Sequence, residues 1–117
     1  TLFRRSLLAD KSYGQREVFC VFSGEVPDGL AVAKDGTLIV ALWGSAQLAH
    51  VSATGKEIAR IEAPGLYPAS VALHPTTGEL YVSTASEDRE AKTSNRAGAI
   101  WRAVFGMPGV PSYQTSE

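Results

Sequence analysis

At 117 residues, 44% hydrophobic and 20% charged, the sequence has the size and balance of one modest folded domain, which excludes a disordered tail and a membrane span. Eleven basic against twelve acidic residues leave a net charge of −1, so no long-range field favours nucleic acid or an anionic bilayer, and neither is expected as a partner. The single cysteine, Cys20, has no disulfide partner and no companion at zinc-ligand spacing; among Val18, Phe19, Val21 and Phe22 it reads as a small core hydrophobe. Residues 1–10 hold two arginines and no apolar run of signal-peptide length, so a cytoplasmic setting is the expectation.

In chain order, residues 1–8 read as a strand that ends at the turn chemistry of Asp10-Lys11-Ser12-Tyr13-Gly14. Residues 15–22 form the second arm of a hairpin, with Val18, Cys20 and Phe22 on one face. A tight Pro27-Asp28-Gly29 turn then feeds a short buried strand over 30–33. Lys34-Asp35-Gly36 is a hairpin signal, because Asp-Gly readily adopts the positive-φ turns that match strand twist. The apolar run 37–42 is too short for a core helix and rich in β-formers, which predicts a strand buried on both faces. Trp43-Gly44-Ser45-Ala46 turns the chain, 47–51 returns it, Ala53-Thr54-Gly55-Lys56 turns it again, and 57–61 is an outer strand with Ile58 and Ile61 inside or near the edge.

The pattern then restarts. Pro68 lies 41 residues after Pro27, and Val71-Ala72-Leu73 stands at the offset of Leu30-Ala31-Val32. Gly78-Glu79-Leu80-Tyr81-Val82 matches Gly36-Thr37-Leu38-Ile39-Val40 with one inserted residue, and Ala99-Ile100-Trp101-Arg102 matches both 47–50 and 1–4. Four short strands per period of about 40 residues is the signature of propeller blades. The expected fold is therefore all-β, with antiparallel four-stranded blades: outer strands of one blade in 1–26, a complete blade in 27–63, and a following blade with a tail in 64–117. That is about half a propeller, and a ring closes only with about four blades or more. Either the chain is a fragment or its open edges and faces pair with something, which opens a route to homo-oligomers through exposed sheet edges.

In an antiparallel blade, the connection entering the inner strand and the one between the second and third strands emerge on the same side. Pro27-Asp28-Gly29, Trp43-Gly44, Leu66-Tyr67-Pro68 and the polar stretch 87–96 are thus expected at one mouth. The candidate site residues are Asp28, Trp43, Tyr67, Asp88 and Arg89, the last two in a loop that is either a solvated connection or a lid. The opposite side receives Asp35-Gly36, Gly55-Lys56 and His74-Pro75, which read as turn structure. His74 has no acidic or cysteine neighbour at ligand spacing and His50 lies inside a strand, so both read as structural. No serine nucleophile elbow, phosphate-binding glycine loop or cysteine pair is present. Pro-Asp-Gly alone is a common turn, but its counterpart Pro68-Ala69-Ser70 lacks the carboxylate, so the repeat itself does not demand Asp28.

The run from Pro27-Asp28-Gly29-Leu30-Ala31-Val32 through Asp35-Gly36-Thr37-Leu38-Ile39-Val40-Ala41 resembles the C-terminal part of the senescence marker protein/gluconolactonase/luciferin-regenerating enzyme (regucalcin-like) family. So do Gly78-Glu79-Leu80-Tyr81-Val82-Ser83-Thr84-Ala85, Gly98-Ala99-Ile100-Trp101-Arg102 and Gly106-Met107-Pro108-Gly109-Val110-Pro111. The resemblance implies a six-bladed β-propeller that binds one divalent metal (calcium, zinc, manganese or magnesium) in its channel and hydrolyses sugar lactones. It implies that Asp28 is a metal ligand and a base for the attacking water; the family's glutamate and asparagine ligands lie upstream, and Asn95 matches none of them. One protein carboxylate is an incomplete site for a hard cation, which takes about six or more oxygen ligands. The alternative is a non-enzymatic half-propeller module that self-associates or binds a partner and is inactive alone. A truncated product without activity is a third reading.

Overall fold

The computed structural model of the chain describes residues 1–86, 98–105 and 109. Among these described residues, nine strands form three antiparallel sheets in chain order: β1 (Leu2–Arg4) with β2 (Glu17–Cys20); β3 (Val26–Val32), β4 (Leu38–Trp43), β5 (Gln47–Val51) and β6 (Glu57–Glu62); then β7 (Tyr67–Leu73), β8 (Glu79–Ala85) and β9 (Ile100–Val104). Each strand pairs only with its sequence neighbours, so every sheet is a meander and no crossover is needed. Among the described residues there is no helix, and none therefore that is long and apolar enough to cross a membrane.

The middle sheet owes its position to β4. Ile39, Val40, Ala41 and Leu42 are all completely buried, as their unbroken apolar run predicts. Alternation along the strand divides them between two cores. Ile39 and Ala41, with Leu48, pack against Val71, Leu73, Leu80 and Val82 of the third sheet. Val40 and Leu42, with Ala49 and Val51, pack against Cys20 of the first sheet and Phe22 just beyond it. Burying each large apolar side chain contributes roughly 1.5–3 kcal/mol, so the three sheets stack face to face through β4 and β5.

Several features differ from the expected pattern. The strand over 30–33 is not buried throughout, Leu30 and Val32 being 43% and 40% exposed, and Ile58 is 54% exposed where the register of β5 and β6 slips. Two further differences are bulges that move named residues. In the first hairpin, Leu2 faces Cys20 but Phe3 faces Val18, which leaves Phe19 as an extra residue. The slip turns Val18 to the outer face beside Phe3, where it is 61% exposed, instead of leaving it with Cys20 and Phe22. The hairpin is also shorter in regular strand than expected and is closed by a Leu7–Tyr13 bridge. In the middle sheet, Pro27-Asp28-Gly29 is not a turn outside the strand. β3 begins at Val26, Pro27 faces Leu42 and Leu30 faces Val40, so Asp28 and Gly29 share one place opposite the ladder. Pro27 is tolerated because β3 is an edge strand of its sheet, paired on one side only. The third sheet repeats the device: Pro68 faces Thr84, Ser70 faces Ser83, and Ala69 is the extra residue.

Candidate functional site

The site begins with the bulge. An extra residue in one strand bends it and redirects its side chains, and here the redirected residue is Asp28, which is solvent-exposed. Among the described residues, nothing donates a hydrogen bond to its carboxylate or forms an ion pair with it. Gly29 has a different reason to be there. A Cβ at this position would lie 2.7 Å from Ser70 Cα, 2.8 Å from the Ala69 carbonyl oxygen and 2.9 Å from Ser70 Oγ. The bulges of β3 and β7 are thus in contact, and only glycine lets the two backbones come so close.

Trp43 and Tyr67 stand at the same end of their sheets. Trp43 closes β4 opposite Val26, Tyr67 opens β7 opposite Ala85, and their rings meet at 4.9 Å between centroids with a 45° tilt. Both are half-buried. The connection after Trp43 is docked onto the chain before Tyr67 by the Ala46 amide, which donates to the Leu66 carbonyl at 3.0 Å. The structure therefore brings Trp43 and Tyr67 together as the repeat predicts. Asp28 lies two positions along β3 from Trp43's partner, Val26. Asp88 and Arg89 lie outside the described residues.

Thr84 is a residue that sequence reasoning missed. Its side chain is buried, its amide and Oγ1 both donate to the Ala99 carbonyl at 3.0 and 3.1 Å, and Oγ1 accepts from the Ala99 amide at 3.3 Å. It pins the start of β9 to the end of β8, next to Tyr67. A buried threonine among alternating apolar residues, Leu80-x-Val82-x-Thr84, was the available signal.

Arg60 was missed as well. It makes a two-pronged pair with Glu25, at 2.6 and 2.8 Å, donates to Gln47 Oε1 at 3.1 Å and to Glu57, and lies over the Phe22 ring at 6.0 Å. Hydrogen bonding from Arg60 holds the Glu25 carboxyl below the usual range. The pair ties β6 to the segment that enters β3. Glu25 precedes Pro27 by two residues, yet no local pattern links it to a residue 35 positions on.

The described aspartates, Asp10, Asp28 and Asp35, differ in the residue two positions further along. Asp10 and Asp35 each accept from the amide and the hydroxyl at that place: Ser12 at 3.0 and 2.5 Å, Thr37 at 3.0 and 2.7 Å. These bonds hold both carboxyls below their ordinary values. Asp28 has Leu30 there, which carries no hydroxyl, and its oxygens stay open. That contrast is readable in sequence: Asp-x-Ser/Thr marks a carboxylate engaged in its own turn, and Asp28 does not fit it.

As a place for a hard cation, Asp28 has the right donor chemistry, an exposed carboxylate with free oxygens. No group of three or more His, Cys, Asp or Glu side chains gathers among the described residues, so they supply one member of a ligand set. On the opposite side, His74 Nδ1 accepts from the amides of Thr76 and Thr77, both at 3.1 Å, and caps its turn. His50 packs edge-on against Phe105.

Comparison with known proteins bears on the same stretch of chain. The family model described as the SMP-30/Gluconolactonase/LRE-like region matches residues 3–86, which carry the bulge, Trp43, Tyr67 and Thr84. The chain belongs to this family. Among characterised relatives of this gluconolactonase-like chain, pentonolactonase XacC of Haloferax volcanii is 30% identical over 98 residues, 77% of this chain and 34% of the relative. Among solved structures, luciferin-regenerating enzyme superposes with a TM-score of 0.75 at 20% identity, over 92% of this chain and 39% of that one. The calcium-binding protein regucalcin of Agrobacterium tumefaciens str. C58 does so with a TM-score of 0.77 at 23% identity, over 92% and 38%. The fold is that of a β-propeller, and the chain spans only about a third to two fifths of the length of these proteins.

Proposed function

We propose that the chain is the C-terminal part of a metal-dependent sugar-lactone hydrolase, with Asp28 as metal ligand and proton acceptor. The observation that carries this reading is the open carboxylate on the β3 bulge, in a chain that belongs to the gluconolactonase-like family. A lactonase among its relatives supports the substrate class, and a calcium-binding neighbour supports a divalent cation. The chain divides as 1–26, 27–63 and 64–117, the first, second and third sheets being taken as blades.

A divalent cation, when bound, supplies Lewis acidity that polarises a lactone carbonyl. The chain's own part is narrower. A carboxylate oxygen of Asp28 takes the proton from water as the water oxygen bonds to the carbonyl carbon. The ring C–O bond then breaks, the departing alkoxide takes that proton back from Asp28, and an open hydroxy acid results. The half-buried faces of Trp43 and Tyr67 line the approach and favour an apolar sugar face. Calcium is the cation to test first, because an exposed carboxylate is a hard oxygen donor. In the complete protein, Asp28→Asn should lower lactone hydrolysis about 10²–10⁴-fold and weaken calcium binding measured by calorimetry. Unchanged hydrolysis and unchanged calcium affinity would remove Asp28 from the site.

A second reading rests on the outer sheets. Ile100 and Val104 are 76% and 83% exposed on the third sheet, and Phe3 and Val18 are 49% and 61% exposed on the first. Apolar surface of this kind favours self-association through the open faces. Light scattering of the isolated chain tests it: a clean monomer with full sheet content would rule it out.

A further inference from the structure

We propose that Phe105 and Gly109 are positioning residues for Asp28, strapping the far ends of β3 and β7 together and so holding the two bulges in contact at the mouth. The need for a strap comes from the topology. β3 and β7 lie in different sheets, and each hydrogen-bonds to one neighbour only, β4 and β8. No ladder joins them: Ala31 and Ala33 share a core with Val71 and Leu73, and the contacts at the two ends add the backbone-level restraint that side-chain packing lacks. One such contact is Gly29 against Ala69 and Ser70.

The other lies across the opposite end. Gly109 forms an antiparallel bridge with Ala33, the residue after β3, and its amide donates to the His74 carbonyl, the residue after β7, at 3.0 Å. A Cβ on Gly109 would collide with the Leu73 carbonyl oxygen, a backbone atom that cannot step aside without moving β7. Phe105 is the second described contact on this side. Its amide donates to the Gly78 carbonyl at 3.1 Å, and its ring packs on the core shared by the two sheets, edge-on to His50 at 5.2 Å and 87°. The same two strands are therefore clasped at both ends, once by their own bulges and once by residues beyond β9. Ala33 is five residues from Asp28, about 17 Å along an extended strand. The stretch from Leu30 to Val32 is in regular register with β4, so a shift at Ala33 is passed along it to the bulge that carries Asp28.

The activity consequence rests on the lactonase reading of Asp28; the structural consequence does not, and the experiment separates them. In the complete protein, Gly109→Ala and Phe105→Ala are compared with wild type by peptide-level hydrogen exchange and by steady-state lactone hydrolysis. The strap predicts that overall sheet content is kept while exchange rises several-fold at both ends of β3 and β7, including residues 26–29 and 67–70. It predicts a kcat lowered by about tenfold to a hundredfold with KM changed much less, the pattern of a displaced reacting group. Phe105→Ala, which alters no backbone contact, should act in the same direction more weakly, and it decides the matter if Gly109→Ala does not fold. Exchange that rises only around residues 33, 74, 105 and 109, with the bulges unaffected, would overturn the proposal. If exchange rises at the bulges but kcat is unchanged, and Asp28→Asn is also fully active, the strap stands and the lactonase role of Asp28 falls.

Discussion

Two Asp-Gly pairs seven positions apart are in opposite situations. Asp35-Gly36 turns the chain between β3 and β4; Thr37 donates twice to its carboxylate, and Gly36 takes the positive φ of 87° that a tight turn requires. Asp28-Gly29 lies inside β3, where the glycine makes room for a neighbouring backbone and the carboxylate has no partner among the described residues. The same dipeptide serves local structure in one place and leaves a hard oxygen donor exposed in the other. What differs is the next residue, threonine against leucine, and the glycine's neighbour, the Ala53 side chain against the backbone of another sheet. A carboxylate already saturated by its own turn has little left for a ligand; one held open on a bulge is available.

Substitutions at the two pairs should break that comparison in graded ways. The largest effect is expected from Gly29→Ala, since the added methyl meets Ser70 Cα and the Ala69 carbonyl at under 3 Å; forcing these backbones apart costs roughly 1–3 kcal/mol by the usual cost of overpacking. Thermal denaturation would register the loss, and lactone hydrolysis by the complete protein should fall with it. Gly36→Ala costs about 1–2 kcal/mol through the left-handed backbone, with the added methyl also 3.3 Å from Ala53 Cβ, and should leave hydrolysis near wild type once the protein is folded. Glu25→Gln comes next, at roughly 1 kcal/mol at neutral pH, the scale of a well-formed but partly exposed ion pair. Because Arg60 depresses the folded-state value of Glu25, its stabilisation is fully present above the ordinary glutamate range and is lost as pH falls through the depressed value. Denaturation midpoints of wild type should therefore drop between about pH 4.5 and more acid conditions, and those of Glu25→Gln should drop less. The smallest effect belongs to Thr37→Val, which removes one donor from Asp35: its carboxyl should rise toward its ordinary value in an NMR titration, with a minor loss of stability and no change in hydrolysis.

The parts of this fold that were legible in the sequence are those dictated by local pattern. The unbroken run 37–42 announced a strand buried on both sides, and the 41-residue offset between the two prolines announced a second sheet of the same design. The bulges were not legible, because Pro-Asp-Gly is written alike for a turn and for an interrupted strand; only the register against Leu42 and Val40 tells them apart. Val18 was misplaced for the same reason, one extra residue at Phe19 reversing its face. At the site, Trp43 and Tyr67 were found through the repeat, since it sets which connections share an end. Thr84 and the Glu25–Arg60 pair depend on contacts between distant segments, and no spacing rule reaches them.

The central claim is that Asp28 is the open carboxylate and Asp35 the engaged one, and a paired measurement addresses it. Asp28→Asn and Asp35→Asn are made in the complete protein and assayed side by side for lactone hydrolysis and for calcium affinity by calorimetry. The prediction is a loss of about 10²–10⁴-fold in hydrolysis and weaker calcium binding for Asp28→Asn, with near wild-type values for Asp35→Asn. Equal activity and equal calcium affinity in the two variants would contradict it.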